Sequence, residues 1–281
     1  MAVSKVSDLN SLFNTIYERS LFVAREMNLM SGLVTQASAT GFMNRVIPIR
    51  TQVSAVTKAE GVDFVNPTTF GKSALATITP AVKMAQVILT DEQIATDPES
   101  ARDDAVTELS AAIATKIDVD IASDFTSFTT DKGDGAGQAA TLDNVATGIA
   151  VLRKNLAMNP IYFVLHPYAW MDIWRLLGQP AATYMLLGDV ANEALRSFYV
   201  GNWVGIQWFT SVNVPTSSTD AIGAIFNREA LIFDSREAPT LEPERDASLK
   251  GYELNISAAY GHGVRRNVFG VKFTTDITEP A

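Results

Sequence analysis

The 281-residue chain contains no cysteine. That absence excludes disulfide frameworks, thiolate metal sites, iron–sulfur clusters and cysteine nucleophiles together. Histidine is nearly absent, with only His166 and His262, which argues against most zinc enzymes and Ser-His-Asp hydrolases. Long apolar runs are missing too. One of the longest, Ile161-Tyr162-Phe163-Val164-Leu165, stops at His166-Pro167, far short of the ~20 residues a helix needs to cross a bilayer. No apolar stretch of leader type follows Lys5, so the expectation is a soluble chain made in a reducing compartment, with no membrane partner. Basic charge is short: 22 Lys and Arg face 31 Asp and Glu, a net charge of −9. Such a surface is a poor partner for phosphate backbones, whose binding depends on Lys and Arg.

What remains is a chain with 47% hydrophobic and 19% charged residues, enough to build a real core. Its length suggests two domains of ~100–200 residues, or one elaborated domain. Leu9, Leu12, Phe13, Ile16, Tyr17, Phe22 and Val23 recur near helical spacing and predict an amphipathic N-terminal helix ending by Gly32. A small-residue link, Thr35 to Gly41, follows. Val46–Ile49 and Gln52–Val56 read as strand, as does the run Ala76 to Leu89. Together they predict a long two-stranded hairpin with a broad tip. Phe64, Val65 and Phe70 near that tip lack an obvious partner in their own chain. A two-stranded ribbon is marginal alone in water, so contacts with another subunit are expected.

Thr90-Asp91-Glu92-Gln93 has capping-box spacing, and Asp97-Pro98-Glu99 is a helix start. From there Ala101, Ala105, Leu109, Ile113, Ile117, Ile121, Phe125 and Phe128 recur mostly every four residues, predicting a spine of about thirty residues and roughly 45 Å. Residues 90–124 carry ten acids against Arg102 and Lys116, or −8 of the chain's −9. Asp118, Asp120 and Asp124 are read as part of a solvated acidic face rather than a cation site, because hard cations need oxygens from a constrained loop. Asp131 to Gln138 reads as a flexible loop and domain crossing. An alternating α/β segment follows: helix Leu142–Leu156, strand Ile161–Leu165, helix Tyr168–Leu177, helix Val190–Tyr199 and strand Trp203–Phe209. From 222 onward the pattern is nearly all strand, in the segments Ala224–Asn227, Ala230–Phe233, Tyr252–Tyr260 and Val268–Thr274.

The chemical motifs fail individually. Gly71-Lys72-Ser73 lacks the earlier glycine of a phosphate loop, with Asn66 in its place, and precedes strand rather than helix. Gly133-Asp134-Gly135-Ala136-Gly137 and Gly261-His262-Gly263 miss the dinucleotide pattern and read as turns or bulges needing positive φ. His166 has no nucleophile or acid nominated nearby and reads as a strand-end histidine with a structural hydrogen bond. Arg265 and Arg266 are too few for a nucleic-acid footprint, and a salt bridge across an interface is the expected use. Trp170, Trp174, Trp203 and Trp208 lie in apolar patterns and read as core. No catalytic residue, cofactor or metal is expected.

Four segments carry a resemblance. They are Val82 to Glu92 entering the spine, Phe163 to Met171, Ala224 to Phe233, and Ala258 to Arg266 with the following strand Val268–Thr274. In this order the chain resembles the Hong Kong 97-type major capsid proteins of tailed bacteriophages. The resemblance implies an α+β fold with an N-arm (1–40), an extended β-hairpin E-loop (41–89), a peripheral domain with the spine (90–140 and 226–281) and an inserted α/β axial domain (141–225). It implies a non-enzymatic coat protein that assembles through hexamers and pentamers into an icosahedral shell. That shell would enclose double-stranded DNA without sequence-specific binding, in the virion after assembly in the host bacterial cytoplasm. Portal, and scaffolding or decoration proteins, would be its partners. Lys58, Lys72, Phe64, Phe70, Arg265 and Arg266 are the candidate inter-subunit contacts; some relatives crosslink a loop Lys to an Asn, but neither Asn255 nor Asn267 is marked as reactive. An encapsulin-like nanocompartment shell is the alternative within the fold. An enzyme or ligand-binding protein with an α/β domain is the alternative outside it.

Overall fold

A computed structural model of the chain describes residues 29–61, 63, 69–96, 101–178, 202–203 and 205–279. The N-terminal helix, Phe64, Val65, the Asp97-Pro98-Glu99 start and the expected helix Val190–Tyr199 lie outside the described residues. In chain order the elements are α1 (Met30–Leu33), β1 (Thr35–Ser38), β2 (Arg45–Arg50), β3 (Lys72–Ile78), β4 (Ala81–Thr90), α2 (Asp91–Thr96) and α3 (Ala101–Ser123). A 3-10 turn (Asp124–Ser127) precedes α4 (Leu142–Lys154), β5 (Ile161–Leu165), α5 (Pro167–Gly178), β6 (Asn202–Trp203), β7 (Ile206–Thr210) and β8 (Thr216–Ser217). The chain ends in β9 (Asp220–Asn227), β10 (Leu231–Asp246), β11 (Gly251–Val264) and β12 (Gly270–Asp276).

Two main sheets result. One has the order β1-β10-β11-β4, and the other β12-β9-β5-β7-β6 with β8 beside β9. The spine α3 joins them through its own periodicity. An i, i+4 repeat overshoots a full turn by ~40° per step, so the apolar stripe winds ~160° around the helix between Ala105 and Ile121. Ala105, Leu109 and Ile113 therefore pack on the first sheet with Leu89, Leu254 and Ile256. Ile121, Ala122 and Phe125 enter the second core, beside Phe226 and Phe163. Ile117, midway, touches both. In the second core Trp170 and Trp208 lie 5.4 Å apart and Phe163 lies 4.7 Å from Trp208. Full burial of such side chains contributes roughly 1.5–3 kcal/mol each.

Several boundaries differ from the sequence expectations. The spine is 23 residues among those described, about 35 Å long. The expected hairpin 41–89 is two structures: β2 pairs with β3 only from Arg45↔Ile78 to Arg50↔Lys72, while β4 pairs with β11. Thr79-Pro80 separates them, because a proline nitrogen has no hydrogen to donate to a ladder. Residues 52–56 are not strand. The link 35–41 holds β1, parallel to β10. Trp203 to Phe209 is not one strand but a β6–β7 hairpin that turns at Gly205, whose φ is 74°. β12, grouped with the spine by the sequence reading, hydrogen-bonds to β9 in the second sheet.

Residues 131–138, expected to be flexible, are tied down along their length. Asp134 accepts hydrogen bonds from the Thr141 amide, the Thr141 hydroxyl and Asn144, and the Gly137 amide donates to Asp220. Gly135 and Gly137 do take positive φ. Gly261 and Gly263 do not, and close approach explains them instead: a Cβ there would sit 2.8 and 2.7 Å from Ile78.

Candidate inter-subunit surfaces

Among the described residues β2 and β3 pair only with each other, and most side chains of this ribbon are exposed, while Ile78 at its base is buried beside Gly261 and Gly263. Val46, Ile49, Phe70 and Leu75 are exposed on it, and Val53 and Val56 are exposed on the irregular stretch beyond. Exposed apolar side chains are thus concentrated on this segment. Pro48 falls at a register shift in β2, which blunts the ribbon edge.

The root of the arm is held by charge. Asp234 on β10 is completely buried, and it accepts 2.8 Å from Arg45 of β2 and 2.9 Å from Arg236. Arg236 also donates to the Gly41 carbonyl, and Arg45 to that of Ser38. Burial pushes the Asp234 carboxyl up, but the two guanidinium hydrogen bonds outweigh it and hold the group below its ordinary range. No sequence signal pointed to Asp234, since its partners lie 189 and 2 residues away.

Phe70 is 60% exposed, with the Arg50 guanidinium 5.4 Å above its ring. Lys58 and Lys72 are exposed on the same arm. Phe64 lies outside the described residues. Arg265 and Arg266 sit elsewhere, and both have partners in their own chain. Arg265 reaches Thr35 at 3.5 Å, and Arg266 lies 3.7 Å from Glu229 and 3.9 Å over the Phe269 ring. Asn267 is engaged by Thr129 and Ser127.

The solvated acidic face is a correction. The winding of α3 turns its later acids inward. Asp118 is fully buried and accepts the backbone N–H groups of Leu29 and Met30 at 2.9 and 3.1 Å. Asp120 is buried against Lys116, Lys83 and the Tyr260 hydroxyl. Asp124 lies 3.0 Å from His262. Asp91 is held by both Arg245 nitrogens at 2.6 and 2.7 Å. These carboxylates hold parts of the fold together around the spine.

The His262–Asp124 contact predicts a pH dependence. The hydrogen bond from Asp124 raises the imidazole above its ordinary value despite burial, while burial raises Asp124 against the pull of His262. A raised histidine stabilises fully below its unfolded pKa, and that stability is lost as pH rises through the folded value. Wild type is expected to melt above His262→Gln by a margin that is largest near about pH 6 and shrinks by about pH 9. Thermal unfolding of both proteins across that range checks it, and a margin that widens with pH contradicts it.

The other singled-out residues are structural. His166 Nδ1 accepts the Tyr168 N–H at 3.2 Å, the strand-end bond expected of it. Gly71 and Lys72 lead into β3, so no helix N-terminus follows them. Trp170 and Trp208 are core, as the apolar pattern predicts. No cluster of metal-ligating side chains and no helix long and apolar enough to cross a membrane occurs among the described residues.

The spine between two sheets with a projecting ribbon can be compared with known proteins. A family model described as phage capsid protein matches residues 76–272. The capsid structure of the cyanophage P-SCSP1u superposes with a TM-score of 0.73 at 16% identity, covering 99% of this chain and 96% of that one. The Mycobacterium phage Che8 structure gives 0.68 at 19% identity, covering 92% and 95%. The capsid of a native GTA particle gives 0.70 at 10% identity, covering 98% and 100%. A search of the curated proteins found no match. The chain belongs to the phage capsid protein family, and it is a structural shell protein with the fold of the Hong Kong 97-type major capsid proteins.

Proposed function

We propose that this chain assembles through hexamers and pentamers into a closed icosahedral shell that encloses double-stranded DNA, in the virion, after assembly in the host bacterial cytoplasm. The observation that carries this reading is the β2–β3 arm, which pairs with no other strand among the described residues and on which Val46, Ile49 and Leu75 are exposed. The face of the first sheet turned away from α3 supplies a surface of matching character. There Val82, Met84 and Ile88 are exposed beside Glu242, Glu244 and Glu253. The arm brings Arg50, Lys58 and Lys72 to such a face, so apolar burial and charge would act together.

In this reading residues 41–79 are the E-loop, and α3 with the four-stranded sheet is the peripheral domain. The second sheet, with β12 included, is the axial domain. Phe64, Phe70, Lys58 and Lys72 act at subunit contacts, and portal and scaffolding or decoration proteins are partners of the assembled shell. Electron microscopy and sedimentation of the purified protein test the reading: closed shells or capsomer-sized rings are expected. A protein that stays monomeric at all concentrations overturns it, and shells holding protein cargo without a genome replace it with a nanocompartment.

A further inference from the structure

The helix α4 ends in a hydrogen-bond pattern that favours glycine. The Leu156 amide donates to the Arg153 carbonyl and the Ala157 amide to that of Leu152, both at 3.0 Å. This pairing sets the residue after the cap in the left-handed region, where glycine escapes the penalty of a Cβ. Leu156 holds that position with φ of 62°, and it is 79% exposed. The apolar contact that closes such a motif is supplied by Leu152 and Ala157, both buried. The leucine side chain therefore serves neither the cap nor the core.

The surroundings of Leu156 differ in charge from the rest of the chain. Asn155 donates through Nδ2 to the Val268 carbonyl at 2.8 Å, and Asn227 donates to the carbonyls of Met158 and Pro160. These bonds draw together residues 153–160, 227–230 and 264–269, and Met158 and Val268 are exposed within them. The same three segments carry Arg153, Lys154, Arg228, Arg265 and Arg266 against one carboxylate, Glu229, which lies 3.7 Å from Arg266. Arg153, Lys154 and Arg228 are exposed. Five cations and one acid give +4 in a chain of −9, so the remaining residues sum to −13.

We infer that Leu156, Met158 and Val268, rimmed by Arg153, Lys154 and Arg228, form a contact that seats on an acidic surface of a second copy of this chain. Charge complementarity selects the occupant: outside this patch a copy is strongly acidic, and cations on the rim steer and orient such an encounter. A copy presenting the same patch would set cation against cation, so the contact joins unlike surfaces. Contacts between unlike surfaces close into rings where the rotation allows, and extend into filaments where it does not. A phosphate backbone would engage the cations but gain nothing from Leu156 and Met158. The contact rests on copies of the chain associating, as proposed above, but not on the closure of a shell. It is also separate from the arm, whose exposed apolar side chains lie on β2 and β3.

Leu156→Gly tests the contact, because stability and association are expected to move in opposite directions. The dissociated variant should melt roughly 2–4 °C above wild type, as the left-handed strain is relieved. It should self-associate about ten- to a hundredfold more weakly, having lost the burial of one leucine. Leu156→Met should keep both the association and the melting temperature near wild type. Lys154→Glu should weaken association and flatten its dependence on salt. Sedimentation of the purified full chain across concentration and ionic strength reads association, and electron microscopy of the same samples reads shells. Leu156→Gly associating as wild type does overturns the contact and leaves the shell standing, including where both proteins bind added double-stranded DNA alike and the cations prove to serve phosphate. A variant that melts below wild type places Leu156 in the packing of its own chain and overturns the contact as well. Rings or filaments without shells, weakened by Leu156→Gly, keep the contact and overturn the shell. A wild type that stays monomeric overturns both.

Discussion

Phe70→Asp is expected to abolish shell assembly while leaving the subunit folded. Phe70 is 60% exposed, and its ring lies beneath the Arg50 guanidinium, which an aspartate also satisfies. A surface change of this kind shifts subunit stability by only about 0.5 kcal/mol. At a subunit contact the same change forfeits ~1.5–3 kcal/mol of burial and adds the cost of desolvating a carboxylate, several kcal/mol. Each ~1.4 kcal/mol is tenfold in affinity, so every contact would weaken by roughly a thousandfold or more. Urea denaturation of the dissociated subunit, paired with electron microscopy after assembly conditions are restored, measures both parts. Normal shells would remove Phe70 from the interface, and an unfolded subunit would place it in a core. Phe64→Asp carries the same expectation from the sequence.

Asp234→Ala should have the largest effect on the subunit itself. The carboxylate is wholly buried between Arg45 and Arg236, and the Arg236 side chain is only 4% exposed. Removing one member of such a group leaves buried charge without compensation, at a cost of about 3–5 kcal/mol. Against a total stability of ~5–15 kcal/mol, this is a large fraction. Asp234→Asn should lose less, because the amide oxygen still accepts one bond. The damage has a direction as well: Arg45 begins β2, so the arm loses its tether even in molecules that remain folded. Limited proteolysis is expected to cut both variants earlier within 41–79 than wild type. An alanine variant that melts with wild type would show that Asp234 is not the anchor of the arm. Because the native carboxyl is held below its ordinary range, its contribution is present at neutral pH and is lost as pH falls through that lowered value.

Much of the architecture was legible before any coordinates. The five-residue run Ile161–Leu165 is wholly buried, as a continuous apolar stretch bounded by His166-Pro167 suggests. The four-residue repeat marked the spine, and the Thr90 hydroxyl does accept the Gln93 amide. The same repeat also held a signal left unread, since strict four-residue spacing must wind around a helix of 3.6 residues per turn. That winding buries Asp118 and Asp120, which composition alone assigns to solvent. The second half of β10 was hidden for another reason. Pro239, Pro243 and its acidic residues argue against strand, yet beyond Ser235 β10 has no partner on one side among the described residues. There a missing N–H costs nothing.

The sequence by itself determined the chemistry this protein lacks and the local elements it forms. Residue types exclude thiol and most metal chemistry, and periodicity depends on neighbours a few positions away. Only the tertiary structure decided where the charges go and which strands pair. Asp234 meets Arg45 across 189 residues, Asp118 meets Leu29 across 89, and β4 leaves the hairpin to join β11. Such contacts are set by global packing, in which a buried charge is tolerated only where distant partners converge on it. No local pattern encodes that convergence.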